Sequence, residues 1–107
     1  MEAMASGLPV IAPRWGGQLD FMNKNNSFLI DCTEVRVSDM DIAEQPVYAG
    51  QIWAEPSIEH LRSAMRTVAR DRDRAATIGR IAAADVRENF SPTQVALILR
   101  AIMQEFQ

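Results

Sequence analysis

The stretch Met1-Glu-Ala-Met-Ala-Ser-Gly-Leu-Pro-Val-Ile-Ala-Pro-Arg-Trp-Gly-Gly17 decides how the chain is read. Ala3, Met4 and Ala5 are strong helix formers, and Gly7 is placed to end a helix in the left-handed conformation that costs other residues energy. Leu8 to Ala12 is a short apolar run bounded by Gly7 and Pro13, the pattern of a strand covered on both faces in a parallel sheet. Periodicity by itself does not separate such a run from a buried helix. Gly16-Gly17 then turns the chain. Glu2 leaves no room for an N-cap or a first turn, and isolated helices shorter than about 12 residues are marginal in water. The sequence therefore predicts that further chain belongs in front of Met1.

Beyond the turn, Gln18 to Met22 is expected to form a short helix with Leu19, Phe21 and Met22 supplying contacts. Asn23 to Asn26 is a polar break with turn chemistry, and Ser27-Phe-Leu-Ile-Asp31 a second short strand. The segment from Pro13 to Asn26 is long enough for the crossover that parallel neighbours require. Thr33 to Trp53 is the least regular part: Val35 and Val37 alternate with polar residues, and a hairpin-like excursion or a loop both fit.

Three helices are expected to finish the chain. The first has Pro56 at its opening position and Glu59 in the first turn, where the helix dipole favours negative charge. Ile58, Leu61, Met65 and Val68 form its inner stripe, with Glu59, Arg62, Arg66 and Arg70 opposite. The second spans about Arg74 to Asn89, with Ile78, Ala82, Val86 and Phe90 inward. The third starts at Ser91 as N-cap with Pro92 next and Gln94 completing a capping box; its inner face is Val95, Ile98, Leu99, Ile102, Met103 and Phe106. So small a sheet has unprotected edges, which invite pairing with other strands. The chain is thus expected to self-associate or to meet a neighbour.

Bulk properties bound the rest. At 107 residues the chain is one domain, able to hide roughly 65% of its unfolded surface. Hydrophobic residues at 48% and charged ones at 23% place it among folded rather than disordered chains. A net charge of -3 and a pI near 5.0 argue against a nucleic-acid partner, which calls for a basic face. No apolar run approaches a membrane span and no signal-peptide pattern is present. Cys32, the single cysteine, excludes an internal disulfide and fits a reducing, cytoplasmic compartment.

Glu2-Ala-Met-Ala-Ser-Gly-Leu-Pro-Val-Ile-Ala, then Gly16-Gly17, then Asn26-Ser-Phe-Leu-Ile30, closely resemble the nucleotide-sugar-binding domain of retaining GT-B glycosyltransferases of the family 4 type. Ala54-Glu-Pro-Ser57, Leu61, Met65, Val68, Ala75-Ala76, Gly79 and Phe90-Ser91 follow that family's ending, while roughly Thr33 to Ile52 has the character of an insertion. The resemblance implies an α/β, partial Rossmann-like (GT-B C-terminal) domain with a small parallel sheet and C-terminal helices. It implies transfer of a glycosyl group from a nucleotide-diphosphate sugar, with no cofactor and no metal. Glu2 would accept hydrogen bonds from the ribose hydroxyls, a task that suits a carboxylate because it only accepts. The sugar-contacting glutamate, the phosphate-binding loop and its basic residues, and the acceptor domain would all precede Met1. The chain alone is accordingly expected to be inactive, and no residue in it is offered as a catalyst. Trp15 before the glycine pair and Asp20-Phe21-Met22 after it depart from the family pattern, with Asp20 keeping the acidic character. Apart from a transferase, a non-enzymatic, self-associating module derived from that domain also fits.

Several residues carry two readings. Gly16-Gly17 serves a ligand's close approach or simply a turn with positive φ; no G-x-G-x-x-G is present. Trp15, at the carboxyl end of the first strand, is a candidate site residue, whereas Tyr48 and Trp53 suit packing. His60 lacks sequence-near partners for base or metal chemistry and reads as a surface or packing histidine. Cys32 reads as a small buried hydrophobe. The stripe Arg62, Arg66, Arg70 reads as a solvated face offset by Glu59, Asp71 and Asp73.

Overall fold

Two hydrogen-bonded strand pairs and five α-helices make up the structure, a computed structural model that describes residues 1–107. Helix α1 (Glu2–Ala5) leads into β1 (Ile11–Pro13), a 3₁₀ turn (Gly17–Asp20) and β2 (Phe28–Ile30). Next come β3 (Cys32–Arg36), α2 (Asp39–Glu44), a second 3₁₀ turn (Pro46–Tyr48) and β4 (Ile52–Pro56). The chain ends in α3 (Ile58–Arg70), α4 (Arg72–Phe90) and α5 (Pro92–Glu105).

β1 and β2 pair in parallel, with Ile11 opposite Phe28, Ala12 opposite Leu29 and Pro13 opposite Ile30. The alternation along them splits the core in two. Val10, Ala12 and Leu29 pack with Met4, Met22, Ala82 and Val86. Ile11, Phe28 and Ile30 pack with Leu61, Ala64, Val68 and Ile78. The sheet is therefore covered on both faces, as its unbroken apolar strands require. Helix α4 contributes to both clusters, Ile78 to one and Ala82 with Val86 to the other.

The predicted glycine stop is present in full. Gly7 lies at φ +74°, its N–H donates to the Met4 carbonyl, and the Leu8 N–H reaches back to the Ala3 carbonyl. This pair of bonds satisfies the last carbonyls of a helix through a left-handed residue. It also shortens the expected strand: Leu8 is used by the cap and left exposed, and parallel pairing begins only at Ile11. The expected helix over Gln18 to Met22 contracts to the single 3₁₀ turn, because the chain must enter the Asn23–Asn26 turn at once.

Asn26 closes that turn from inside. It is 1% exposed, accepts the Asn23 N–H at 2.8 Å, and donates to the Phe21 carbonyl at 3.0 Å and to Asp85 Oδ2 of α4 at 2.8 Å. A buried amide satisfied three times fixes the loop entering β2 against α4.

Thr33 to Trp53 resolves as a hairpin-like excursion rather than a loop. β3 and β4 form an antiparallel ribbon from Cys32 opposite Pro56 to Arg36 opposite Ile52, with α2 and the second 3₁₀ turn at its far end. Pro56 is therefore the last residue of β4 and not the first of a helix; Ser57 caps α3 by accepting the His60 N–H. Trp53 lies on the ribbon, exposed and tilted over Tyr48 at 6.4 Å. Cys32 is half-buried rather than buried.

Asp71 caps α4, which begins at Arg72, and Ser91 caps α5 by accepting the Gln94 N–H. The inward stripe of α3 is Leu61, Ala64 and Val68, while Ile58 and Met65 are exposed. On α5 no residue is buried. The expected inner face, Val95 to Phe106, is largely exposed, and α5 contributes to neither core cluster. The radius of gyration is accordingly 17.9 Å, with extents of 48 × 46 × 18 Å, against about 13 Å for a compact chain of this length.

Gly79 of α4 crosses directly on the Gly7 turn. A Cβ at position 79 would stand 2.1 Å from the Gly7 carbonyl oxygen and 2.9 Å from its carbon. In a free helix, Gly79→Ala would stabilise by about 1 kcal/mol; here it is expected to destabilise by at least about 2 kcal/mol through overpacking against backbone. Urea denaturation of the variant checks the sign, and an unchanged or raised midpoint would show that the crossing relaxes freely.

Candidate functional site

The carboxyl ends of β1 and β2 gather the residues with chemical potential, where open parallel sheets place their ligands. The ladder continues past the strands through the Arg14 N–H, which donates to the Ile30 carbonyl at 2.8 Å. Arg14 and Asp31 are thereby set side by side, one after each strand. Arg14 Nη2 stands 4.0 Å from Asp31 Oδ1. His60, in the first turn of α3, completes the group with Nδ1 at 3.2 Å from Asp31 Oδ2 and 3.1 Å from the Asp31 backbone nitrogen.

Those two histidine contacts use one nitrogen in opposite roles. A neutral imidazole accepts the Asp31 N–H at Nδ1 and carries its proton on Nε2, whereas an imidazolium donates from Nδ1 to the carboxylate. His60 thus has the partner that sequence proximity did not supply. The partner lies 29 positions away, and the β3–β4 ribbon brings it near: Cys32 pairs with Pro56, and the Ser57 N–H at the head of α3 donates to the Asp31 carbonyl at 2.8 Å. No group of three or more His, Cys, Asp or Glu side chains is arranged to hold a metal ion.

Of the sequence-predicted residues, Trp15, Gly16 and Gly17 follow β1 directly and lie at that end. The chain reverses at Gly7, and Met4 belongs to the cluster against which Val10 and Ala12 pack. The Glu2 side chain is fully exposed. Its carboxyl is held below the usual glutamate range, first by the Glu2 backbone N–H and next by the Met1 ammonium, 3.4 Å away. The carboxylate therefore stays ionised further into acid than a free glutamate. Trp15 lies on the turn after β1, at the margin of exposure.

Gly16 and Gly17 separate into different roles. Gly16 has φ +78° and ψ −164°, a region essentially closed to residues with a Cβ. Gly17 opens the 3₁₀ turn with ordinary φ, and nothing lies within 4 Å of where its Cβ would be. The turn reading accounts for Gly16, and Gly17 leaves open space beside the strand end.

Elsewhere, the Arg62, Arg66, Arg70 stripe is solvated as expected, but no carboxylate stands within 4.0 Å of any of the three. Glu59, Asp71 and Asp73 do not pair with it, since Asp71 is engaged at the α4 cap. No helix is long and apolar enough to cross a membrane. Comparison of the chain with protein-family models, curated proteins and solved structures gives no match.

Gly16→Ala is expected to cost about 1–3 kcal/mol, while Gly17→Ala stays within about 0.5 kcal/mol of the parent. Paired urea titrations test the contrast; equal effects at the two positions would remove the conformational role of Gly16.

Proposed function

We propose that the chain is the C-terminal portion of a nucleotide-sugar-binding domain of a retaining, GT-B type glycosyltransferase, with a Rossmann-like parallel sheet and a cytoplasmic setting. The reading draws on the sequence motif from Glu2 to Ile30, and one observation carries it furthest. A fully exposed Glu2 carboxylate precedes the Gly7 stop and a parallel strand pair whose first strand is followed by Trp15, Gly16 and Gly17. In this role Glu2 accepts the ribose hydroxyls, Trp15 and the open space at Gly17 flank the nucleotide, and no residue of the chain acts as catalyst. The donor is a nucleotide-diphosphate sugar, and hydrogen bonding to a charged acceptor supplies the nucleoside contact.

Titration of the labelled chain with UDP, GDP and ADP, followed by amide shifts, tests the proposal. Saturable shifts at Trp15, Gly16 and Gly17 are expected, with Glu2→Ala weakening binding about tenfold, the size of a hydrogen bond to a charged group. Binding by none of the three nucleotides, or binding indifferent to Glu2→Ala, would sink it.

The bare face of α5 favours a second reading, a self-associating module whose partner is a second copy of the chain. Val95, Leu99, Ile102 and Phe106 form a stripe flanked by Ile98 and Met103, with exposures from 42% to 85%. The helix's charged residues, Arg100 and Glu105, lie off that stripe, so nothing on it selects a charged partner. Complete cover of this face by a second copy would bury at most about 1,200 Å², the lower edge of the ~1,200–2,000 Å² of specific interfaces. Light scattering is expected to give the mass of two chains, reduced to one by Leu99→Glu with helicity retained; one chain's mass across a concentration series would overturn it.

A further inference from the structure

Between β2 and α3 runs a cleft of about 220 Å³ whose rim carries Arg14, Lys24 and Arg74, together with His60 and Ser63. Its floor is apolar, formed by Phe28, Ala64 and Ile78, and no carboxylate lines it. A second depression shares Ser63 and Thr67 with it and adds Arg66 and Arg70, with Asp71 the one acid. Asp71 is committed through Oδ1 to the Arg74 N–H at the start of α4. Three cations thus border the cleft and two the neighbouring depression, on a chain whose net charge is -3.

These cations are not explained by pairing within the chain. Lys24, Arg66, Arg70 and Arg74 have no carboxylate within 4.0 Å, and Arg14 meets Asp31 only at that limit. Arg74 is held in place by packing instead, its guanidinium 5.7 Å above the Phe28 ring. Like charges gathered without partners repel, and an anion relieves that repulsion. Guanidinium groups present forked donors to tetrahedral oxyanions, and lysine adds a mobile point charge. Two further donors line the cleft. The Ser63 hydroxyl makes no bond inside the chain, and a neutral His60 with Nδ1 occupied by the Asp31 N–H keeps a proton on Nε2.

We propose that the β2–α3 cleft is a binding site for a small phosphate-bearing ligand, a phosphate ester or a diphosphate, held by Lys24, Arg74 and Arg14 with Ser63 and His60 as neutral donors. The site is independent of Glu2 and stands whether or not the chain serves a nucleotide sugar. A recess of this volume takes one or two phosphoryl groups, with the apolar floor lowering the local dielectric and strengthening each contact.

The test is a calorimetric titration of the intact chain with inorganic pyrophosphate, against potassium chloride of matched ionic strength, with amide shifts to map the site. Saturable binding is expected, with shifts at Ser27, Ser63 and Arg74. Lys24→Gln and Arg74→Gln are each expected to weaken it about fivefold, and Lys24→Arg to restore it. Arg62→Gln removes the same charge from α3 outside the cleft and should leave affinity unchanged, as should Glu2→Gln. Lys24 makes no contact the fold depends on, so its variant remains informative if Arg74→Gln disturbs the Phe28 packing. No saturable binding at millimolar pyrophosphate, or equal weakening by Arg62→Gln, would overturn the proposal. Loss on Glu2→Gln would do the same by moving the site to the start of α1.

Discussion

A single backbone-on-backbone contact governs the arrangement: the crossing of α4 over the Gly7 turn. Residue 79 has no Cβ to hold the helix away, and the Gly7 carbonyl occupies the space where one would be. Around it the buried face of α4 is built from small side chains, with Ala75, Gly79 and Ala82 leading to Val86. Close approach replaces bulk here, since dispersion energy falls quickly with separation. Because α4 sits this low, Ile78 reaches the cluster on one side of the sheet, and Ala82 with Val86 the cluster on the other. A three-residue strand pair would not be stable alone; α4, spanning both clusters, is what makes it a core.

The strand ends inherit their order from that core. Asn26 ties the turn before β2 to Asp85 of α4, so the start of β2 is fixed by the same helix. With β2 placed, Asp31 and Arg14 fall side by side, and α3, packed through Leu61, Ala64 and Val68, delivers His60 to them. The same placement opens the cleft between β2 and α3, where cations gather over an apolar floor. Glu2 and Gly16 depend on it less directly. One needs only the reversal at Gly7, and the other only a local backbone conformation available to glycine.

The periphery is organised by different forces. The β3–β4 ribbon and its tip carry Val47, Tyr48, Ile52 and Trp53 in exposed positions, and α5 presents an apolar stripe with no covering layer. Both were ambiguous or misread along the chain for one reason. Periodicity reports that a face is apolar, and it is silent on whether anything covers it. The Val95-to-Phe106 pattern is that of a buried helix face, yet none of those residues is buried.

The sequence by itself determined the local punctuation. Gly7 as a left-handed stop, Ser91 with Pro92 at the head of α5, and the turn at Asn23–Asn26 follow from chemistry acting over a few residues. It also marked Glu2, Trp15 and the glycine pair as a local motif. Tertiary structure alone decided that Gly79 must lack a side chain, that Asn26 is the buried joint between turn and helix, and that Gly16 and Gly17 differ. It alone paired His60 with Asp31 and brought Lys24, Arg14 and Arg74 around one cleft. Those facts concern residues tens of positions apart, and no local preference encodes them. They arise when the β3–β4 ribbon closes Asp31 onto the head of α3 and when α3 and α4 pack against the parallel pair.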